Sequence, residues 1–299
     1  MKKKIIQGKG DHLTKLTTIF LMTTILILSV TIIGTTPHSR KINAITAEVC
    51  ESFQMSCGQT TAAAPSSSKK FFLAVFLQYV DEDRQVEAYK PNMDREDQTH
   101  LRVEDDDELS RAYIKDTLSL PGSAGVTFKS SEAIIENAAR VKNLGFEFID
   151  FNLESGLSPS SDTNDVVEAM LKAAQAAHEE GLKFRASPSI EYTTQYGAQI
   201  GSFADYYLIQ AQSLQGDGVK AYSDYVHGIT SKLKIANPDL VINVQVSTQQ
   251  DNASRLSLLE TLKRCTNAVM DVADGMSIWH GSSDLNTLKS YVKWYNAMY

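Results

Sequence analysis

Three polar side chains spaced two residues apart, Asp150, Asn152 and Glu154, carry the chemistry this sequence can offer. They belong to the stretch Glu147-Phe148-Ile149-Asp150-Phe151-Asn152-Leu153-Glu154, which alternates with the period of a β-strand. Ile149, Phe151 and Leu153 fall on one face and suit packing against helices. The polar groups fall on the other and need a wet, concave place to point. The C-terminal mouth of a parallel barrel is such a place. A carboxyl kept beside another carboxylate, or in an apolar setting, holds its proton for delivery as a general acid. Glu154 is the leading candidate for that acid, with Asp150 and Asn152 within reach along the strand. No Asp or Glu occurs from Leu240 to Thr248, so a retaining carboxylate pair lacks an obvious second member. If the site hydrolyses glycosides, the nucleophile must be the substrate's own N-acetyl group.

The same parity sorts the neighbouring strands. Arg185 and Ser187 share a face; Leu208, Gln210 and Gln212 share another, opposite Ile209 and Ala211. Asn243, Gln245 and Ser247 oppose Ile242, Val244 and Val246. Trp279 and His280 end the last strand, as Gln78 and Tyr79 end the first. Amides beside an aromatic platform suit neutral, hydroxyl-rich ligands, so a carbohydrate is the expected partner. The substrate-binding candidates are Gln78, Arg185, Gln210, Gln212, Gln245 and Trp279. A hydrated lumen lined by structural amides is the plainer alternative. His280 reads as a hydrogen-bonding structural residue, and Ser187-Pro188 lacks the Gly-x-Ser-x-Gly setting of a serine nucleophile. Glu191 reads as a solvated loop charge, with a second catalytic carboxylate as its alternative. The run Glu104-Asp105-Asp106-Asp107-Glu108 reads as a solvated loop rather than a calcium site. No Cys or His spacing suggests a metal site, and nothing calls for a cofactor.

The elements that must position these residues follow from composition and pattern. The 299 residues are 42% hydrophobic and 22% charged, enough for a sizeable core in one large domain or two small ones. A net charge of −7 excludes nucleic acid as the expected partner. Lys2, Lys3, Lys4, Lys9 and Lys15 precede an uncharged apolar run from Leu16 to Gly34, about long enough to span a bilayer. Less positive charge follows it (Arg40, Lys41), which predicts a cytoplasmic N-terminus and an exported remainder. An uncleaved anchor is favoured over a cleaved signal peptide, because the run exceeds the usual apolar core of about 7–15 residues. The small residues Ala44 and Ala47 also lie well beyond it. The domain is therefore expected outside the cytoplasm, membrane-anchored, or secreted if cleavage occurs. Residues 1–36 form the basic and transmembrane or signal segment, 37–70 a flexible linker, and 71–299 the folded domain. In an exported chain Cys50 and Cys57 can bridge locally, leaving Cys265 free and buried; three reduced thiols are the alternative. Asn252-Ala253-Ser254 is a glycosylation sequon in a predicted loop.

Strand-like segments run over Phe71–Val80, Ala112–Leu120, Gly125–Lys129, Glu147–Glu154, Leu182–Ser189, Tyr206–Gln212, Leu240–Thr248 and Gly275–His280. Helical patterns cover Ser131–Leu144, Asp165–Glu180, Tyr222–Ala236, Ser254–Ala273 and Asp284–Met298. Asp81–Arg111 reads as an acidic loop region. Alternating strands and helices over about 230 residues predict an α/β fold, a (β/α)8 TIM barrel. An open doubly wound sheet competes, but no glycine-rich fingerprint follows the first strand.

The stretch Glu147–Glu154 resembles the D-G-x-D-x-D-x-E signature on the fourth barrel strand of family 18 chitinases and related endo-N-acetylglucosaminidases. The resemblance implies Glu154 as proton donor, Asn152 in the place of the Asp that orients the N-acetyl group, and Asp150 as its buried support. It also places Gln210 or Gln212 on the sixth strand and Trp279 as the floor of the sugar site on the eighth. Glu147 and Phe148 stand where the family has Asp-Gly, and no S-x-G-G motif occurs around Gly125-Val126-Thr127-Phe128. Family 85 endoglycosidases, similar in mechanism, pair an Asn with the Glu. The implied function is hydrolysis of an N-acetylated glycan. The competing reading is a catalytically silent barrel that binds surface glycans or a protein partner.

Overall fold

The computed structural model describes residues 71–77, 82–93, 97–102, 113–156, 165–249, 256–280 and 284–299. Among these, eight parallel strands close in chain order: β1 (Phe72–Leu77), β2 (Gln98–Arg102), β3 (Ser123–Phe128), β4 (Phe148–Leu153), β5 (Lys183–Pro188), β6 (Tyr206–Ile209), β7 (Val241–Ser247) and β8 (Gly275–Trp279). A helix follows each strand: α1 (Glu82–Tyr89), α2 (Tyr113–Ser119), α3 (Ser131–Asn143), α4 (Val166–Glu179), α5 (Ile190–Gly201), α6 (Val219–Ala236), α7 (Leu258–Asn267) and α8 (Leu285–Met298). The pairing of β8 with β1 makes this a (β/α)8 barrel and removes the open sheet from consideration.

Local chemistry explains the element ends. The Ser130 hydroxyl accepts the Ala133 N–H at the start of α3, and Asp165 accepts from Val167 and Glu168 at the start of α4. Gly145 and Gly181 follow these helices at φ 96° and 68°, where the left-handed turn toward β4 and β5 favours glycine. The strands' outward residues and the helices' inward stripes then form the core. Ile149, Phe151 and Leu153 are fully buried there with Ile134, Val141, Met170 and Ala173.

Carboxylates tie the N-terminal rim in a repeating way. Asp97, Asp205 and Asp274 directly precede β2, β6 and β8. Each accepts a backbone N–H from the second residue of the preceding strand: Leu73 at 2.8 Å, Phe184 at 2.9 Å and Ile242 at 3.0 Å. Glu147 holds the equivalent place before β4, where its N–H donates to Ala124 O at 2.8 Å. The repeat escapes sequence reading because single residues separated by long helices carry it.

Two assignments are corrected. Ala112–Leu120 is mostly helix α2, not a strand, and the stretch read as acidic loop, Asp81–Arg111, contains helix α1 and the second strand. In Gln98-Thr99-His100-Leu101-Arg102 both alternating sets contain polar residues, so no apolar face announces it. β4 kept its place as fourth strand because one error replaced the other. Helix α5 also went unread. It packs through Gly197 and Gly201, and a Cβ on Gly201 would come within 2.9 Å of Leu233 and 3.1 Å of Leu240. Close approach of that kind leaves no apolar stripe.

Gly275 illustrates how tightly the seam closes. A Cβ at that position would fall on the carbonyl oxygen of Phe72, its partner on β1. Main chain cannot step aside as a flexible side chain can. Gly275→Ala is expected to destabilise by about 3 kcal/mol, the upper end of overpacking costs, or to prevent folding. A urea unfolding midpoint within error of the parent's would contradict this.

Several expectations concern residues outside those described: the 1–36 and 37–70 segments, Cys50, Cys57, Gln78, Tyr79, the run 104–108 and the 252–254 sequon. Among the described residues, no helix is long and apolar enough to cross a membrane. Cys265 is fully buried and unbridged, and burial pushes its thiol up to about 12.

Candidate active site

At the C-terminal mouth a cavity of about 220 Å³ is lined by Asp150, Asn152 and Glu154 from β4 and its end. Gln210 and Gln212 line it just past β6, with Gln245 from β7 and Trp279 from β8. Seven of the nine residues named from the sequence therefore line one cavity, six by period-2 parity and Trp279 by its place at the end of β8. Phe76, Lys129, Ser187 and Leu208 complete the lining. Lys129 could have been found, since it stands two residues beyond the lumen-facing Thr127. Phe76 likewise shares the parity of Gln78.

Arg185 is on the expected face but at a different depth. It is fully buried beneath the cavity and does not line it. Its guanidinium lies 4.7 Å from the Phe148 ring centre and 5.5 Å from that of Tyr206, within cation–π range. In the β4–β5 register Arg185 pairs with Asp150 and Ser187 with Asn152. Glu191 is exposed in the first turn of α5 and outside the lining. His280 is buried, with Nε2 3.2 Å from Phe76 O.

A buried charged cluster underlies the cavity. Arg185 Nη1 donates to the His100 ring, against Nε2 and 3.2 Å from Nδ1, and Nδ1 lies 3.9 Å from Asp150 Oδ2. His100 also stacks on Phe76 at 4.5 Å. Ser187 donates its hydroxyl to Asp150 Oδ1. Burial raises the Asp150 carboxyl above its usual range, against the Arg185 charge and the Ser187 hydroxyl, which lower it. Burial also brings Arg185 down to about 10.

His100 is held well below the ordinary imidazole range, by burial first and then by the Arg185 charge. The unfolded chain takes up its proton near pH ~6.5, and the folded protein refuses it. Stability is therefore expected to fall as pH drops below about 6.5, by up to about 1.4 kcal/mol per pH unit. Asp150 works the other way, because its raised carboxyl accepts a proton more readily folded than unfolded. Thermal melts of the parent and His100→Phe across this range check the sign. The variant should show a shallower loss, and equal slopes would assign the acid sensitivity elsewhere.

Above the cluster the geometry is set by amides and one indole. Asn152 is half-buried and Glu154 is exposed at the rim. Gln210 Nε2 donates to Asn152 Oδ1 and to Ser187 O, both at 2.8 Å, tying β6 to β4 and β5. Gln212 Nε2 donates to Gln210 Oε1 at 3.3 Å. Trp279 is braced edge-on against Phe76 at 5.3 Å, and its Nε1 donates to Gln249 Oε1 at 2.7 Å. The arrangement offers a carboxyl group at the rim, hydrogen-bonding amides at the walls and a held aromatic face. Among the described residues, no group of three His, Cys, Asp or Glu side chains is placed to hold a metal ion.

No protein-family model matches the sequence, and no curated protein matches it either. Solved structures resemble the fold. A family 18 chitinase from Crocus vernus superposes with a TM-score of 0.51 at 11% identity, over 76% of this chain and 98% of that one. An endo-1,4-β-D-mannanase from Thermotoga petrophila RKU-1 gives 0.50 at 7% identity, over 77% and 99%. The carboxyl transferase domain of Rhizobium etli pyruvate carboxylase gives 0.45 at 11% identity, and this chain spans 40% of that chain's length. At such identities the likeness to the chitinase and the mannanase shows the (β/α)8 fold alone.

Proposed function

We propose that this barrel hydrolyses a glycosidic bond in an N-acetylated glycan by substrate-assisted acid/base catalysis. The observation that carries the reading is the convergence of Asp150, Asn152 and Glu154 on one cavity with Gln210, Gln212, Gln245 and Trp279. The cavity lies below the roughly 300–1,000 Å³ of drug-sized sites, which suits a single sugar ring. The ring rests on Trp279 while the three glutamines meet its hydroxyls. Asn152 orients the acetamido group, whose carbonyl oxygen attacks the anomeric carbon as Glu154 protonates the departing oxygen. Glu154, now a carboxylate, takes a proton from the water that opens the cyclic intermediate, so the enzyme ends as it began. Asp150, bonded to Ser187 and charged against Arg185, supports the floor. The N-terminal apolar run, as an anchor, would keep this activity among surface glycans.

The test is turnover of a panel of chromogenic N-acetylglucosaminides by the parent and Glu154→Gln. Turnover lost in the variant supports catalysis. Sugar binding without turnover, unchanged by Glu154→Gln, would sink the enzyme and favour a glycan-binding barrel, a reading that the exposure of Glu154 makes reasonable.

A further inference from the structure

Above the cluster, three atoms form a triangle that no choice of nitrogen and oxygen fully satisfies. One Asn152 amide atom lies 2.8 Å from a Gln210 amide atom and 3.1 Å from the Ser187 carbonyl oxygen. The same Gln210 atom lies 2.8 Å from that carbonyl. A fourth contact sets the outcome, because the Asn152 atom is also 3.1 Å from Glu154 Oε1.

The Ser187 corner is always an acceptor, so each arrangement leaves one mismatch. If Asn152 presents nitrogen, it donates to the Ser187 carbonyl and to an ionised Glu154. Gln210 must then set nitrogen against nitrogen, or turn its oxygen toward Ser187. If Asn152 presents oxygen, Gln210 donates to both neighbours, and the only mismatch is the oxygen pair at 3.1 Å, the longest side. That oxygen then faces Glu154, where only a protonated carboxyl can donate to it. The two arrangements are close in quality, and the proton on Glu154 separates them.

We propose that the Asn152 amide turns end for end with the protonation of Glu154, and that Gln210 is the positioning residue that couples the two. The inference rests on the reading of Glu154 as the acid/base group. Gln212 can follow, since its Nε2 donates to Gln210 Oε1 and its own buried Oε1 has no hydrogen-bond partner among the described residues. The only bond made or broken is the O–H of Glu154, whose proton goes to solvent or to a leaving oxygen. Asn152 thus offers a different end of its amide before and after proton transfer. Among the described residues, the other titratable groups near this cavity are Lys129 after β3 and Asp150 on β4, with Arg185 and His100 beneath.

The test reads the side-chain amides directly and needs no turnover. In the ¹⁵N-labelled full chain, the Asn152 and Gln210 NH₂ resonances should move together through one pH transition. Glu154→Gln, a rim substitution, should abolish it. Gln210→Met should leave Asn152 in one state at every pH, because nitrogen then satisfies Ser187 whether or not Glu154 is charged. Absence of a transition would overturn the proposal. So would a transition that survives Glu154→Gln, which would belong to Asp150 or Lys129. An Asn152 transition unchanged in Gln210→Met would remove Gln210 from the role. A chain that turns over no glycan yet passes this test would fail only as a hydrolase.

Discussion

Glu154→Gln is expected to lower turnover of an N-acetylglucosaminide about 10²–10⁴-fold, the usual contribution of a positioned general acid. The amide matches the carboxyl in size and can still hydrogen-bond Asn152, yet it has no proton to deliver. Glu154 is exposed just past β4 and takes no part in the core. Its replacement should therefore change stability by no more than about 0.5 kcal/mol. The pair of measurements separates chemistry from folding: turnover collapses while the unfolding midpoint stays. Turnover within threefold of the parent would assign the proton to another group. Asn152→Ala addresses the second half of the mechanism, since retained activity would count against help from the acetamido group.

Arg185→Met is expected to cost about 3–5 kcal/mol, as removal of one member of a buried charged set generally does. The loss has three parts. Asp150 keeps its burial without the positive charge that opposes it. His100 Nε2 loses its donor, and the rings of Phe148 and Tyr206 lose their cation. The Asp150 share can be isolated, because Asp150→Asn should harm the Arg185→Met background less than it harms the parent. A coupling of about 0.5–3 kcal/mol is the range for groups acting as a unit. Strictly additive losses in urea unfolding would show that Asp150 and Arg185 do not sense each other.

How much of this was legible in the sequence depends on which physical signal each feature leaves. The alternation in β4, β5 and β7 reports which face each residue takes, because side chains on a strand must alternate. That single rule gathered Asp150, Asn152, Glu154 and Gln245 at one mouth, and it held even past the short strand β6 for Gln210 and Gln212; Trp279 was placed there by its position at the end of β8. β2 failed the same test because its inward Gln98 and His100 are polar and its outward Thr99 is too. α5 failed the helical test because glycine, not an apolar stripe, lets it approach α6 and the chain entering β7.

The sequence by itself determined the strand–helix alternation and the division of each clear strand into a lumen face and a core face. Both are local consequences of backbone geometry. Only the tertiary structure decided depth along the lumen, since depth comes from the stagger between strands distant in the chain. Closure buries Arg185 against His100, Phe148 and Tyr206 outside the cavity lining, while Ser187, two residues on, reaches that lining. It also brings His100, read as loop, under the site from 85 residues away. The triangle of Asn152, Gln210 and the Ser187 carbonyl has the same origin. Its corners come from three strands, and its frustration exists only at the 2.8–3.1 Å separations that closure of the barrel imposes.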